Sequence, residues 1–356
     1  MKGIFESYLF AYIFWLSLSL GCLGLLLLHH VVRPRWGSAI LPVLEAGVAA
    51  LWPMALLMVP IVIWGMPELY EWARGAHDDP IYRHRAVFLN VPFFIARAVI
   101  YFSVWLGLGS FLIRSVRREQ QTRDRGQAQT RTNVSAPGLV AFVMTVTFAM
   151  TDWVMSVEHH WFSTIYGIWF ITGQGLAAVA LGALWWRTAV RSSGGSTEAG
   201  GHGGSDYPVS RDLGNLLLAF TMTWAYISLS QYLIIWSANL PEETSFYLRR
   251  SSEGWQGVAV VLIIGQFAIP FLALLSGKTK RSPGMLASVA ALVLVMRLLD
   301  IYWIVAPSVR GGSAIPTPFD VAAVIVIGAV WLSIAMRGSM KTRRALGAGE
   351  EVLAHA

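Results

Sequence analysis

The chain of 356 residues contains a single cysteine, Cys22. That excludes a disulfide scaffold. It also leaves no ligand set for an iron–sulfur cluster and no CxxCH haem-attachment site. Charge is equally scarce, because Asp, Glu, Lys and Arg together make up 13% of the residues, about half of what a soluble domain carries. A water-soluble enzyme of this length is therefore excluded, and so is a disordered chain, which needs high charge and low hydrophobicity. The apolar stretches are continuous rather than alternating, which argues against a transmembrane β-barrel. What the chain has in abundance is apolar side chains, at 55%, and a mean hydropathy of +0.56. These describe an all-α polytopic membrane protein in a lipid bilayer. The net charge of +7 then reads as basic loops on one side of the membrane, not as a nucleic-acid surface.

A spanning helix needs roughly 20 mostly apolar residues. Nine segments qualify: Tyr8–Val31, Val43–Trp64, Val87–Ile113, Gly138–Met155, Ser163–Trp186, Leu213–Ser237, Trp255–Leu275, Gly284–Ala306 and Val321–Met336. The first is too long for a cleaved signal peptide and has no small-residue cleavage site before Arg33. With the N-terminus outside, the inner segments hold 18 basic residues and the outer ones 7, which fits positive-inside orientation. Residues 115–136 and 192–206 read as flexible inner loops, the second rich in Gly and Ser. The linker 192–211 divides the chain into spans 1–5 (residues 1–191) and spans 6–9 with a cytoplasmic tail (residues 212–356).

Charges inside a span are costly and mark candidate sites. Arg97 lies ten residues into span 3, about 15 Å deep at the helical rise. Asp152 is near the outer end of span 4. Arg297 and Asp300 are three apart in span 8 and share a helix face. Glu158, His159 and His160 fill the short outer turn after span 4, and Asp320 opens span 9. These residues gather in the outer half, where they suit a proton-exchange or quinone-head-group site. The competing reading is structural: Arg97–Asp152 and Arg297–Asp300 neutralise each other and lock the bundle. Glu158 and Asp320 sit near the interface, where solvation is cheap. On the inner side, His29, His30, Glu45, Asp212 and Asn215, with Gln174, Gln231 and Gln266 within spans, either line a half-channel or serve helix–helix hydrogen bonding. None of the eight histidines lies mid-span, so a membrane haem with two axial histidines has no ligands here. A metal site at Glu158, His159 and His160 lacks ligand spacing. Paired Gly or Pro breaks at matching places in two halves, the mark of many transporters, are missing.

The run Thr151-Asp152-Trp153-Val154-Met155-Ser156-Val157-Glu158-His159-His160-Trp161-Phe162-Ser163-Thr164-Ile165-Tyr166-Gly167 resembles the signature of the ActF membrane subunit of bacterial alternative complex III, a relative of the NrfD-type polysulfide-reductase anchors. Met296-Arg297-Leu298-Leu299-Asp300-Ile301-Tyr302-Trp303 and Asn239-Leu240-Pro241-Glu242-Glu243 also resemble that family. The resemblance implies two packed helical bundles of NrfD type in a bacterial inner membrane. It implies a subunit of a quinol:electron-acceptor oxidoreductase with no cofactor of its own beyond a quinol. Its partners would be a homologous NrfD-type membrane subunit, an iron–sulfur subunit, and cytochrome c subunits carrying haem c. It assigns proposed proton-path roles to Asp152, Glu158, His159, Arg297 and Asp300.

Overall fold

The computed structural model describes residues 2–75, 80–122, 126–158, 160–192 and 206–354. Among them every regular element is a helix. This follows from the solvent: a bilayer offers the backbone no hydrogen-bond partners, so an apolar chain must satisfy its own peptide groups by coiling. Among the described residues, nine helical segments are long and apolar enough to cross a membrane. They are span 1 (Gly3–Val32), span 2 (Arg35–Leu69), span 3 (Val91–Thr122), span 4 (Gly126–Val157), span 5 (Tyr166–Arg191), span 6 (Pro208–Ala238), span 7 (Trp255–Leu275), span 8 (Pro283–Val309) and span 9 (Pro318–Arg337). Successive spans alternate direction, so the bundle has an N-terminal face, where span 1 begins, and an opposite basic face.

The helices reach well past the apolar segments, and this corrects two expectations. The arginine-rich stretch 115–136 is not a loop: one helix runs on to Thr122 and the next starts at Gly126, with 123–125 outside the described residues. Arg, Glu and Gln are good helix formers, and no Gly or Pro falls between 115 and 125 to stop the coil. Likewise the expected linker 192–211 is helical from Asp206 onward, while its Gly/Ser-rich part, 193–205, lies outside the described residues. The final helix continues from Pro318 to Ala354.

Spans 1, 5 and 8 form the centre. In their most apolar windows 83%, 78% and 56% of residues are buried, against 28–44% in the other six. Span 5 packs on spans 6 and 8, span 1 packs on spans 2, 5, 8 and 9, and spans 3 and 4 pair at the flank. The two halves of the chain are thus in direct contact. Polar aromatic tips bolt the helices together. Tyr8 and Tyr12 donate to the Leu57 and Met54 carbonyls of span 2. Trp15 donates to the Val324 carbonyl, and Trp331 to Ser19 Oγ, joining spans 1 and 9. Trp105 donates to Thr145 Oγ1 between spans 3 and 4, and Trp169 to Ser228 Oγ between spans 5 and 6. Because lipid tails are as apolar as leucine, such bonds and close packing hold the helices, not hydrophobicity.

Close packing is sharpest at Gly21, where span 1 meets span 5. A Cβ there would run into the Gln174 carbonyl and lie 2.9 Å from the Ala178 Cβ. Gly21→Leu is therefore expected to lower stability by about 1–3 kcal/mol, as overpacking does. Denaturation of the purified chain in detergent, compared with Gly107→Leu, measures it, since nothing lies within 4 Å of a Cβ at Gly107.

Candidate functional site

Arg97, Asp152, Glu158, Arg297, Asp300 and Asp320 are all buried, and the structure sorts them into pairs. Asn90 precedes span 3, and its Oδ1 accepts from the Phe93 amide. Two turns on, Arg97 and Tyr101 share one face of that helix and meet Asp152 at the end of span 4. Arg97 Nε and Nη2 each donate to the carboxylate at 2.8 Å, and Tyr101 donates at 2.7 Å. The third guanidinium nitrogen donates to the Phe88 carbonyl at 2.9 Å. The guanidinium carbon sits 3.9 Å and 4.3 Å from the Phe88 and Phe93 ring centroids. Asp152 is 0% exposed. The fork–fork geometry and the three donors on one carboxylate hold it in one orientation.

The hairpin motif around Asp152 is anchored from a third direction. Tyr70 Oη donates to the Trp153 carbonyl at 2.9 Å, and Trp72 Nε1 to Ser156 Oγ at 3.3 Å. Glu158 follows and is buried, contrary to the expectation that it sits in cheap interfacial solvent. Its carboxylate lies 3.5 Å from Arg250 and 3.9 Å from Arg249 but accepts no hydrogen bond. His159 lies outside the described residues. His160, in the turn, is exposed.

Arg250 is the residue that sequence reasoning missed, having been counted among outer-loop charges. It is 2% exposed. Its guanidinium donates to the Phe246, Trp303 and Ile304 carbonyls and to Ser308 Oγ. It lies 3.4 Å from the Phe246 ring centroid. Ile304 and Trp303 are within two turns of the C-terminal end of the span 8 helix, and Ser308 lies in its last turn. Burial pulls the Arg250 guanidinium down to about 10, and neighbouring Glu158 works against this, so it stays charged at neutral pH. The only sequence signal was its place next to Arg249 after an aromatic pair, which says nothing about depth.

Deeper in span 8, Arg297 pairs with Asp300, and Trp224 Nε1 of span 6 donates to Asp300 at 3.1 Å. Both charges are 1% exposed. Span 5 makes room with Gly173, where a Cβ would strike the Arg297 guanidinium. The fourth pair closes the N-terminal face. Arg310 donates to both Asp320 oxygens at 3.2 and 2.8 Å and to Tyr302 Oη at 2.6 Å, while the Thr317 amide and hydroxyl also bond Asp320. Asp320 is buried, again against the expectation of easy solvation. Three of the four pairs therefore surround the second half of span 8, whereas Arg97–Asp152 belongs to spans 3 and 4 and shares no residue with them. The single cluster expected from sequence is resolved into separate ion pairs.

At the other end, His29, His30 and Glu45 are buried and Asp212 is half-buried. Asn215 accepts from Lys280 at 2.8 Å. Gln231, expected on this inner side, is instead near the N-terminal face, where it accepts from Ser163 of the hairpin turn at 2.6 Å, because it lies close to the far end of span 6. Arg131 pairs with Glu119 on the basic face. Among the described residues no group of three or more His, Cys, Asp or Glu is placed to hold a metal ion. An apolar crevice of about 410 Å³ opens beside the hairpin, lined by Phe88, Leu89, Met155, Trp161 and Phe162 with His84 and Arg85 among the walls. Its wall residue Phe88 stacks on Arg97. No family model matches the chain, and no curated protein matches it.

Chemically, a buried Arg–Asp pair with a tyrosine is either a lock or a place where a proton can be held, and removing one partner distinguishes an isolated charge from a neutral pair. Arg97→Leu leaves Asp152 without its counter-charge and is expected to cost about 3–5 kcal/mol. Arg97→Leu combined with Asp152→Leu is expected to recover most of that loss. Unfolding of the two variants and the parent in detergent reads the difference.

Proposed function

We infer that the chain is a non-redox membrane subunit of a quinol-oxidising respiratory complex of the alternative complex III type, in a bacterial inner membrane, with the N-terminal face toward the periplasm. The observation that carries this reading is the hairpin motif from Thr151 to Gly167. Its acidic residues are the ones engaged by buried arginines, Asp152 by Arg97 and Glu158 by Arg250. The absence of cofactor-ligand motifs from the sequence means that electrons pass through partners: a homologous NrfD-type subunit, an iron–sulfur subunit and haem c subunits. The chain supplies a scaffold and a set of buried carboxylates near the periplasmic face.

In the mechanistic form of this reading, Asp152, Glu158 and Asp300 release protons outward, and a set near Glu45 and Asp212 loads them. A carboxylate can take part only if its proton affinity changes with the redox state of a neighbour. Arg97 and Tyr101 hydrogen-bond the Asp152 carboxylate, so a redox-linked displacement of that guanidinium is the step that would let the carboxyl exchange a proton. Without such a shift the pairs are locks and the chain is a scaffold.

A second reading is favoured by the crevice at Phe88, Trp161 and Phe162. Its apolar, aromatic lining beside a buried ion pair suits a quinone ring, with Arg85 or His84 positioned to meet the head-group oxygens. Photo-crosslinking by a quinone analogue at Phe162 separates this reading from the first.

Purification of the chain from its native membrane, with mass spectrometry and haem spectra of its companions, tests the complex: haem c and iron–sulfur partners are expected, and isolation as a lone chain overturns the reading. Asp152→Asn and Asp300→Asn then test the proton path. Near-normal quinol oxidation with reduced proton release per electron is expected. Unchanged proton stoichiometry in an assembled complex leaves only the scaffold.

A further inference from the structure

Four buried polar side chains from four spans meet the same level of the bundle without a complete set of protein partners. Ser17 of span 1 is 2% exposed, Gln174 of span 5 is 0%, Arg297 of span 8 is 1% and Gln266 of span 7 is 0%. The Ser17 hydroxyl, both amide atoms of Gln174, both of Gln266 and Nε of Arg297 have no hydrogen-bond partner.

Four contacts put these groups at one depth. Gly173, next to Gln174, faces the Arg297 guanidinium. Gly21 packs on Gln174 and Ala178, and Ser17 lies one turn before Gly21 on the same helix face. Phe10 stacks edge-on against Tyr302 at 5.1 Å. Ser17 is seven residues on from Phe10, again on that face, and span 8 runs antiparallel, so Ser17 comes level with residues near 295. Gly265, beside Gln266, faces Met296 Sδ. Arg297 is 14 residues from Pro283 and 12 from Val309, which places this level about 18–21 Å from either end of the helix, near the middle of the bilayer. Span 7 departs from regular α-geometry here, in the π-turn Ile263–Ala268. Such turns recur at functional positions.

Cavities that stay dry are apolar, whereas buried polar atoms without protein partners are met by water. We propose that the seam between spans 1, 5 and 8 is a site for internal water, bound by Ser17 Oγ, the Gln174 amide and Arg297 Nε. The Arg297–Asp300 pair is then solvated from within rather than sealed in a dry core. The bound water hydrogen-bonds the face of Arg297 that Asp300 does not occupy. Gln174 orders it, offering a donor and an acceptor on one planar group. This inference concerns the chain itself and stands apart from the respiratory reading, so either can fail without the other.

X-ray radiolysis of the full chain in its native membranes tests it, because bound water is split to hydroxyl radical in place and marks the adjacent side chains. Trp224, which bonds Asp300, and Phe170, one turn before Gln174, are expected to be labelled faster than Trp105 and Phe142, which are likewise buried but sit in spans 3 and 4. Ser17→Val with Gln174→Leu is expected to bring Trp224 and Phe170 down to the rate of those controls. Ser17→Val alone serves if the double variant does not fold, with a partial fall expected. Equal labelling of Trp224 and Trp105 in the parent, or rates unchanged in a folded variant, overturns the proposal.

Discussion

A guanidinium that lies inside a membrane bundle must find its acceptors within the protein or in bound water, and this requirement shapes much of the molecule. Arg97, Arg250, Arg297 and Arg310 each draw in a carboxylate, a carbonyl or an aromatic face from another part of the chain or the next turn. Arg250 alone gathers three carbonyls and a hydroxyl. Because lipid supplies neither water nor hydrophobic driving force between helices, these groups set which helices touch and at what depth. Span 8 becomes a hub for that reason: among the described residues, three of the four arginine–carboxylate pairs toward the N-terminal face close on its second half.

The same physics separates two kinds of buried polarity. Arg97–Asp152–Tyr101 and Arg310–Asp320–Tyr302 are well satisfied, with bidentate or multiple hydrogen bonds on each carboxylate, and such pairs rigidify. Glu158, Gln174, Gln266 and Arg297 Nε are different, since the chain buries them without completing their bonds. Natural bundles do not keep such groups idle. The satisfied pairs therefore read as architecture, and the incompletely bonded groups as the places where solvent, protons or a partner enter.

Glycine decides how closely the central helices approach. Gly21 and Gly173 remove a side chain where the backbone of span 5 meets span 1 and where the Arg297 guanidinium crosses span 5. Neither position is conspicuous in the sequence, because small residues are common in every span. Their meaning depends on what stands opposite.

Chain order and composition were enough to establish a helical membrane protein and nine spans, because a run of about twenty apolar residues admits one solution in lipid. They were also enough to single out Asp152, Arg97, Arg297 and Asp300, since an intramembrane charge is rare on energetic grounds. The pairing Arg297–Asp300 was legible because three residues along a helix are neighbours. Other features lay beyond the sequence. Polar residues that extend a helix past the membrane look like a loop in a hydropathy profile, so stretches 115–136 and 206–211 were misread. Glu158 and Asp320 were placed where solvation is cheap, and Arg250 was only counted among the outer-segment charges, because depth along a helix says nothing about which neighbour covers its end. Only the tertiary structure decided that, since burial belongs to the partner across the interface and not to the residue's own position in the chain.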